Sequence, residues 1–207
     1  MKRLLLTSLV ALTALNAGAK DVLSEFRASI EGRLVSLSAS FSSSQGKGAF
    51  DLDTQDGAYR FITKEGGSLV LDIFSDSKTI WILDRNSKEC EIETLEEEGD
   101  GFVGSIMNII NGVDSHFTVS GTRQAVFEGK KASAVVLEAL QGKDGICKEV
   151  TLYLQDQRLL GFTSTAGDGT ITKFTISRYE VKDKVPATHF TFDESTLDKS
   201  WVITDLR

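Results

Sequence analysis

The chain has 207 residues, 41% of them hydrophobic, with a formal net charge of −7 and a pI near 5.0. That length and composition suit one globular domain with a sizeable core. The acidic balance argues against a nucleic-acid binder, which needs a basic face to neutralise phosphates, and no polybasic stretch points to an anionic membrane surface.

The first segment reads as an address. Lys2 and Arg3 precede the apolar run LLLTSLVALTAL, and AGA at residues 17–19 supplies small residues for cleavage after Ala19. The mature chain is expected to be residues 20–207, exported and folded as a single domain. No later run reaches the roughly 20 apolar residues of a membrane-spanning helix. The residues after the cut, KDVLSEF, lack the cysteine that a bacterial lipoprotein carries there.

KDVLSEFRASIEGRL follows, with Val22, Leu23, Phe26, Ile30 and Leu34 at helical spacing, so an amphipathic lid or packing helix is expected. A long series of short segments then alternates in period two between turn residues. These are VSLSASFSS, GAFDL, AYRFIT, SLVLDIFS, TIWILD, KECEIETL, HFTVSG, QAVFEG, ASAVVLEAL, CKEVTLYL, LLGFTSTA, TITKFTISRYEV, THFTF and WVITDL. They predict a large antiparallel sheet, whose interior the single Pro186 leaves unbroken. TIWILD is apolar to both sides, which suits either a central strand between packed layers or a strand whose second face lines an apolar cavity. One greasy interruption, GFVGSIMNIING, predicts a short helix with an acidic approach (Glu96 to Glu98, Asp100) and a Gly112 stop.

Residues for chemistry are sparse. His116 and His189 lie in separate segments without metal-ligand spacing and read as surface or strand-edge histidines. DLDTQDG at residues 51–57 misplaces the glycine of a calcium loop and has Ile62 at its closing position, so it reads as a strand running into a polar turn. GDGTIT at residues 167–172 reads as a hairpin turn on Asp168 and Gly169. No nucleophile elbow, phosphate loop or dinucleotide fingerprint occurs, so neither an enzyme nor a cofactor or metal is expected. Cys90 and Cys147 permit one pairing; a bridge and two small buried side chains in separate strands both fit.

The order of several motifs resembles the periplasmic outer-membrane lipoprotein carrier family, LolA. LVSLSASFSSS resembles its first strand, and SDSKTIW a hairpin turn running into a tryptophan strand. GTITKFTISRYEV and VPATHFTFD resemble the closing strands, and WVITDLR the terminus of one branch. The resemblance implies a mainly β (α+β) fold: an incomplete antiparallel β-barrel of about eleven strands around an apolar cavity, with helices as a lid. It implies a soluble, monomeric carrier of the acyl chains of lipoproteins from an inner-membrane exporter to an outer-membrane receptor. The absent lipidation cysteine favours the carrier over the similar receptor family LolB. A carrier of another lipid or glycolipid, or a sensor or adaptor module like the envelope-stress regulator RseB, is the alternative on the same scaffold.

The side chains assigned to the acyl-chain cavity and its lid are Phe41, Phe50, Phe61, Leu71, Ile73, Trp81, Leu83, Phe102, Ile106, Met107 and Ile110. Many family members place an Arg-Pro pair after the second strand as a lid latch. Here the stretch reads DLDTQDGAYRF, and Arg60 is out of step, so that role is not carried over to it.

Overall fold

The computed structural model describes residues 21–95, 103, 106, 107, 110, 113–140 and 147–207. The signal segment, Phe102, the acidic run at residues 96–100 and Gly112 lie outside them. A first helix, α1, covers residues 21–30 and buries Leu23 and Phe26. It stops before Gly32, whose φ of +65° is a left-handed conformation that costs glycine little. Leu34, expected to extend the helical stripe, therefore opens the first strand instead.

Twelve strands follow. They are β1 (Leu34–Ser42), β2 (Lys47–Gln55), β3 (Ala58–Glu65), β4 (Ser68–Ser75), β5 (Thr79–Asp84) and β6 (Glu89–Thr94), then β7 (Phe117–Phe127), β8 (Lys130–Ala139), β9 (Glu149–Gln155), β10 (Arg158–Thr165), β11 (Ile171–Lys182) and β12 (Val202–Asp205). A one-turn helix, α2 (Val113–His116), leads into β7. The strands form one sheet in the order β12-β6-β5-β4-β3-β2-β1-β11-β10-β9-β8-β7. The pairs from β2 to β6 and from β7 to β11 are antiparallel, and β12 runs parallel to β6. The sheet does not close on itself: β7 and β12 are its two edges, the open arrangement of an incomplete barrel.

Two sequence segments behave otherwise than expected. HFTVSG and QAVFEG join into the single strand β7, because a register shift between Val119 and Gly121 absorbs the glycine without ending the pairing. THFTF is not a strand. His189 closes a 3-10 turn (Ala187–His189) after Pro186, which lacks the N–H that a ladder requires. A second 3-10 turn, Glu194–Thr196, is capped by Asp193, whose carboxylate accepts from Ser195 N at 3.0 Å.

The chain packs as two compact units, each assembled from discontinuous segments. One draws on Met1–Ser29, Phe41–Lys47 and Gly112–Ile176, the other on Ile30–Ser40, Gly48–Asn111 and Ser177–Arg207. In the first, cross-strand pairing places Val135, Leu152, Phe162 and Phe174 on one sheet face, all buried, with Phe162 and Phe174 stacked at 4.2 Å. Phe41 tilts onto Phe174 at 6.1 Å. On the opposite face Phe127 stacks on Tyr153 at 4.3 Å and lies over Gly161. A Cβ at Gly161 would stand 2.6 Å from the Phe127 ring and 2.3 Å from the Phe174 carbonyl oxygen, so the close approach needs glycine.

Candidate functional site

The second unit has two sheet faces with different fates, and strand register decides which residue goes where. Leu52 pairs with Phe61, Phe61 with Ile73, and Ile73 with Ile82, so these four share one face, face A. Phe50 and Leu71, both paired with Thr63, stand beside them, and so does Ile80. Phe50, Leu52, Phe61 and Ile73 are buried, and Phe50 stacks on Phe61 at 5.0 Å. Leu71, Ile80 and Ile82 are only half-buried. Tyr59 lies on the same face, and burial pushes its hydroxyl up to about 12, partly offset by a hydrogen bond with Ser75.

Face B carries the residues of opposite parity: Arg60, Asp72, Phe74, Trp81, Leu83, Cys90 and Ile92 in successive cross-strand pairs. Phe74, Trp81, Leu83, Cys90 and Ile92 form one apolar cluster, and Phe192, Leu197 and Trp201 from the C-terminal segment pack against it. The indole N–H of Trp81 donates to Glu194 Oε1 at 2.8 Å, which satisfies the one polar atom of that side chain. This segment is also tied down at Gln55, whose amide bonds both the N–H and the C=O of Val185, and by Lys184 on Asp56 at 2.7 Å. Face B is thus covered by the chain itself.

The double-sided apolar character of TIWILD follows directly. Trp81 and Leu83 point under the C-terminal segment, whereas Ile80 and Ile82 point to face A. The eleven assigned side chains therefore do not form one group. Phe50, Phe61, Leu71 and Ile73 come together on face A; Trp81 and Leu83 stand on the opposite face in a filled cluster; Phe41 belongs to the aromatic packing around Phe174; Phe102 lies outside the described residues. Ile106, Met107 and Ile110 are helical and buried, as the spacing of GFVGSIMNIING predicts. Sequence reasoning missed Leu52, Ile80 and Ile82; period-two parity from Phe50 could have found Leu52, whereas only the pairing of β4 with β5 brings Ile80 and Ile82 to this face.

Several polar groups of this unit are occupied in structural roles. Ser36 and Ser38 donate to Asp53 and Asp51, each at 2.6 Å, making two rungs between β1 and β2. The Ser38 hydrogen bond, helped by Lys64, holds the Asp51 carboxyl below its usual range. His189 Nε2 lies 2.9 Å from the other oxygen of Asp53. In a nucleophilic relay the histidine stands between serine and carboxylate; here the carboxylate stands between the other two. Arg60 reaches Asp72 through both Nε and a terminal nitrogen, at 3.0 and 3.1 Å, and Arg85 adds a third bond at 3.0 Å to a carboxylate with no exposed surface. Arg60 is thus committed to face B.

Cys90 and Cys147 are free and buried, and burial pushes both thiols up. His116, the last residue of α2, is buried, not on the surface. Among the described residues no cluster of metal-ligating side chains occurs, and no helix is long and apolar enough to cross a membrane.

An open, mostly antiparallel sheet, covered in its second unit on one face by the chain itself, places the fold in the incomplete-barrel class. The chain belongs to the outer membrane lipoprotein carrier protein LolA family, whose model matches residues 44–193. Its fold is similar to that of an uncharacterized conserved protein from Thermus thermophilus, at 11% identity and a TM-score of 0.56, over 91% of this chain and 99% of that one. It is also similar to a chain of the MucA/MucB complex of Pseudomonas aeruginosa, at 11% identity and a TM-score of 0.50. That match covers 85% of this chain and 61% of the other, so this chain spans less than two-thirds of that relative's length. None of the curated protein sequences matches it.

Proposed function

We propose that this chain is a periplasmic carrier that takes up the acyl chains of lipoproteins on face A and ferries them from an inner-membrane exporter to an outer-membrane receptor. The observation that carries the reading is the contrast between the faces. Face B is filled by Phe192, Leu197 and Trp201, while face A presents Leu71, Ile80 and Ile82 half-buried beside the buried Phe50, Leu52, Phe61 and Ile73, with Glu93 and Glu91 paired across from the two isoleucines at its margin. Membership of a carrier family supports the same reading.

The physical task sets the design. Each buried methylene contributes roughly 0.8 kcal/mol, and a triacylated cargo offers dozens. A site gripping all of them would pass the practical affinity limit of about 20 kcal/mol and could not hand the cargo on. Face A meets this by offering a limited apolar strip. The helical residues Ile106, Met107 and Ile110 act as movable cover, exchanging contacts with protein for contacts with hydrocarbon as cargo enters.

The test replaces Ile82 with Glu, confirms the fold by circular dichroism and measures capture of a triacylated lipoprotein released from membrane vesicles. Loss of capture by a folded variant is expected; undiminished capture would overturn the assignment of face A. Mass spectrometry of hydrophobic ligands co-purified from the periplasm separates a lipoprotein carrier from a carrier of another lipid. Recovery of a signalling protein, with no acylated ligand, would favour a sensor or adaptor.

A further inference from the structure

The edge formed by β12 has an unusual balance of exposure and charge. Val202, Ile203 and Leu206 are exposed by 59, 47 and 58%, and they are three of the six large hydrophobics that stand open among the described residues. Edge strands normally carry charge to repel other strands. Here the one charge within β12, Asp205, is neutralised by its own neighbour: Arg207 donates to it through Nε at 3.0 Å, through a terminal nitrogen at 2.8 Å and through its backbone N–H at 3.1 Å.

The backbone of this strand is half used. Val202 N donates to Lys88 O at 2.9 Å and Leu206 N to Ile92 O at 2.8 Å, so the even-numbered peptides point toward β6. Alternation turns the N–H and C=O of Ile203 and Asp205 outward, and among the described residues no strand pairs with that side. The sequence around them is complementary to itself in reverse. An antiparallel partner centred on Thr204 sets Ile203 against Asp205, so that the outward groups of both chains exchange hydrogen bonds. The same register sets Val202 against Leu206, and Trp201 against Arg207.

The geometry points to a second copy of this chain as the occupant of the β12 edge, paired antiparallel about a two-fold axis through Thr204. Each exposed Val202 then covers the other copy's exposed Leu206 on one side of the extended sheet. The two Asp205 carboxylates are offset and do not face one another, so the pairing brings no like charges together. A contact of one short strand falls well below the roughly 1,200 Å² buried in stable complexes, so the dimer is weak and concentration-dependent.

Sedimentation equilibrium from micromolar to millimolar protein tests it, with amide exchange at Ile203 and Asp205 as a local readout. Dimerisation with rising concentration, and slower exchange at those two amides, is expected. Ile203→Pro removes an outward N–H while leaving the bonds to β6, and weakens association by about tenfold or more. Val202→Lys and Leu206→Glu each abolish it alone, and a mixture of the two variants restores it, since the register sets lysine against glutamate. A protein that stays monomeric at millimolar concentration, a dimer indifferent to these changes, or a mixture that fails to recover would each overturn the pairing.

Discussion

Trp81 and Glu194 are joined by a 2.8 Å hydrogen bond across 113 residues of sequence, and that bond marks where the C-terminal segment grips the sheet. Trp81→Phe leaves the glutamate without its donor and shrinks the ring in the Phe74, Leu83 and Ile92 cluster. A loss of about 1–3 kcal/mol is expected, and Trp81→Ala, which opens a cavity, loses about 3–5 kcal/mol. Urea denaturation followed by circular dichroism measures both. Because Trp81 faces away from face A, the folded Phe variant should retain ligand capture.

Asp72 has no exposed surface and holds both Arg60 and Arg85. Asp72→Ala leaves two partly buried guanidiniums without their anion, while Phe74 and Trp201 offer them only ring faces. A destabilisation of about 3–5 kcal/mol is expected. Removing Arg60 alone should cost less, because Arg85 still answers the carboxylate. Denaturation midpoints of the two variants decide the order.

The Asp51 carboxyl is held below its ordinary 3.8, first by Ser38 and then by Lys64. A depressed folded value favours the folded state above the unfolded value, and that advantage is lost as pH falls through the folded value. Ser38→Ala should therefore be less stable than the parent at neutral pH, and the gap should narrow as pH drops below 3.8. Urea melts across that range check it; a gap that widens in acid would contradict the sign.

Cys90 and Cys147 are both buried, and burial raises both thiols. The thiolate that reacts with disulfide reagents is therefore scarce and shielded in the folded protein. Labelling with a chromogenic disulfide should be slow in buffer and release two equivalents rapidly in denaturant, matching the two free cysteines. Labelling in buffer as fast as in denaturant would contradict the burial of both.

Gly161→Ala places a methyl group against the Phe174 carbonyl and the Phe127 ring. A loss of about 1–3 kcal/mol is expected from the overpacking. Combining it with Phe127→Ala recovers only part of the loss, since the backbone oxygen stays in place. A double-mutant cycle by thermal melts measures the recovery.

Much of the fold was readable because period-two alternation is a local property. The segments from VSLSASFSS to TITKFTISRYEV became strands, and the turn at Asp168 and Gly169 formed as its residues suggest, with Thr170 N bonded to the aspartate at 2.8 Å. Facing was not readable in the same way. Parity says that Trp81 and Leu83 share a side and that Phe61 shares one with Thr63, but only pairing through Ile73 and Ile82 shows that the two sides differ. The cover over Trp81 was equally hidden, because Phe192, Leu197 and Trp201 lie in a segment with no regular period.

The pairing of β1 with β11 has a kinetic consequence. Ser177 bonds to the Ser38 carbonyl across 139 residues, so the opening strand keeps one side bare until nearly the whole polypeptide is present. Such distant closure makes assembly slow, since chain entropy must be lost before the contacts form. The neighbouring pairs β2 to β6 close over short loops instead, so the distant β1 and β11 seam is the step that sets the pace.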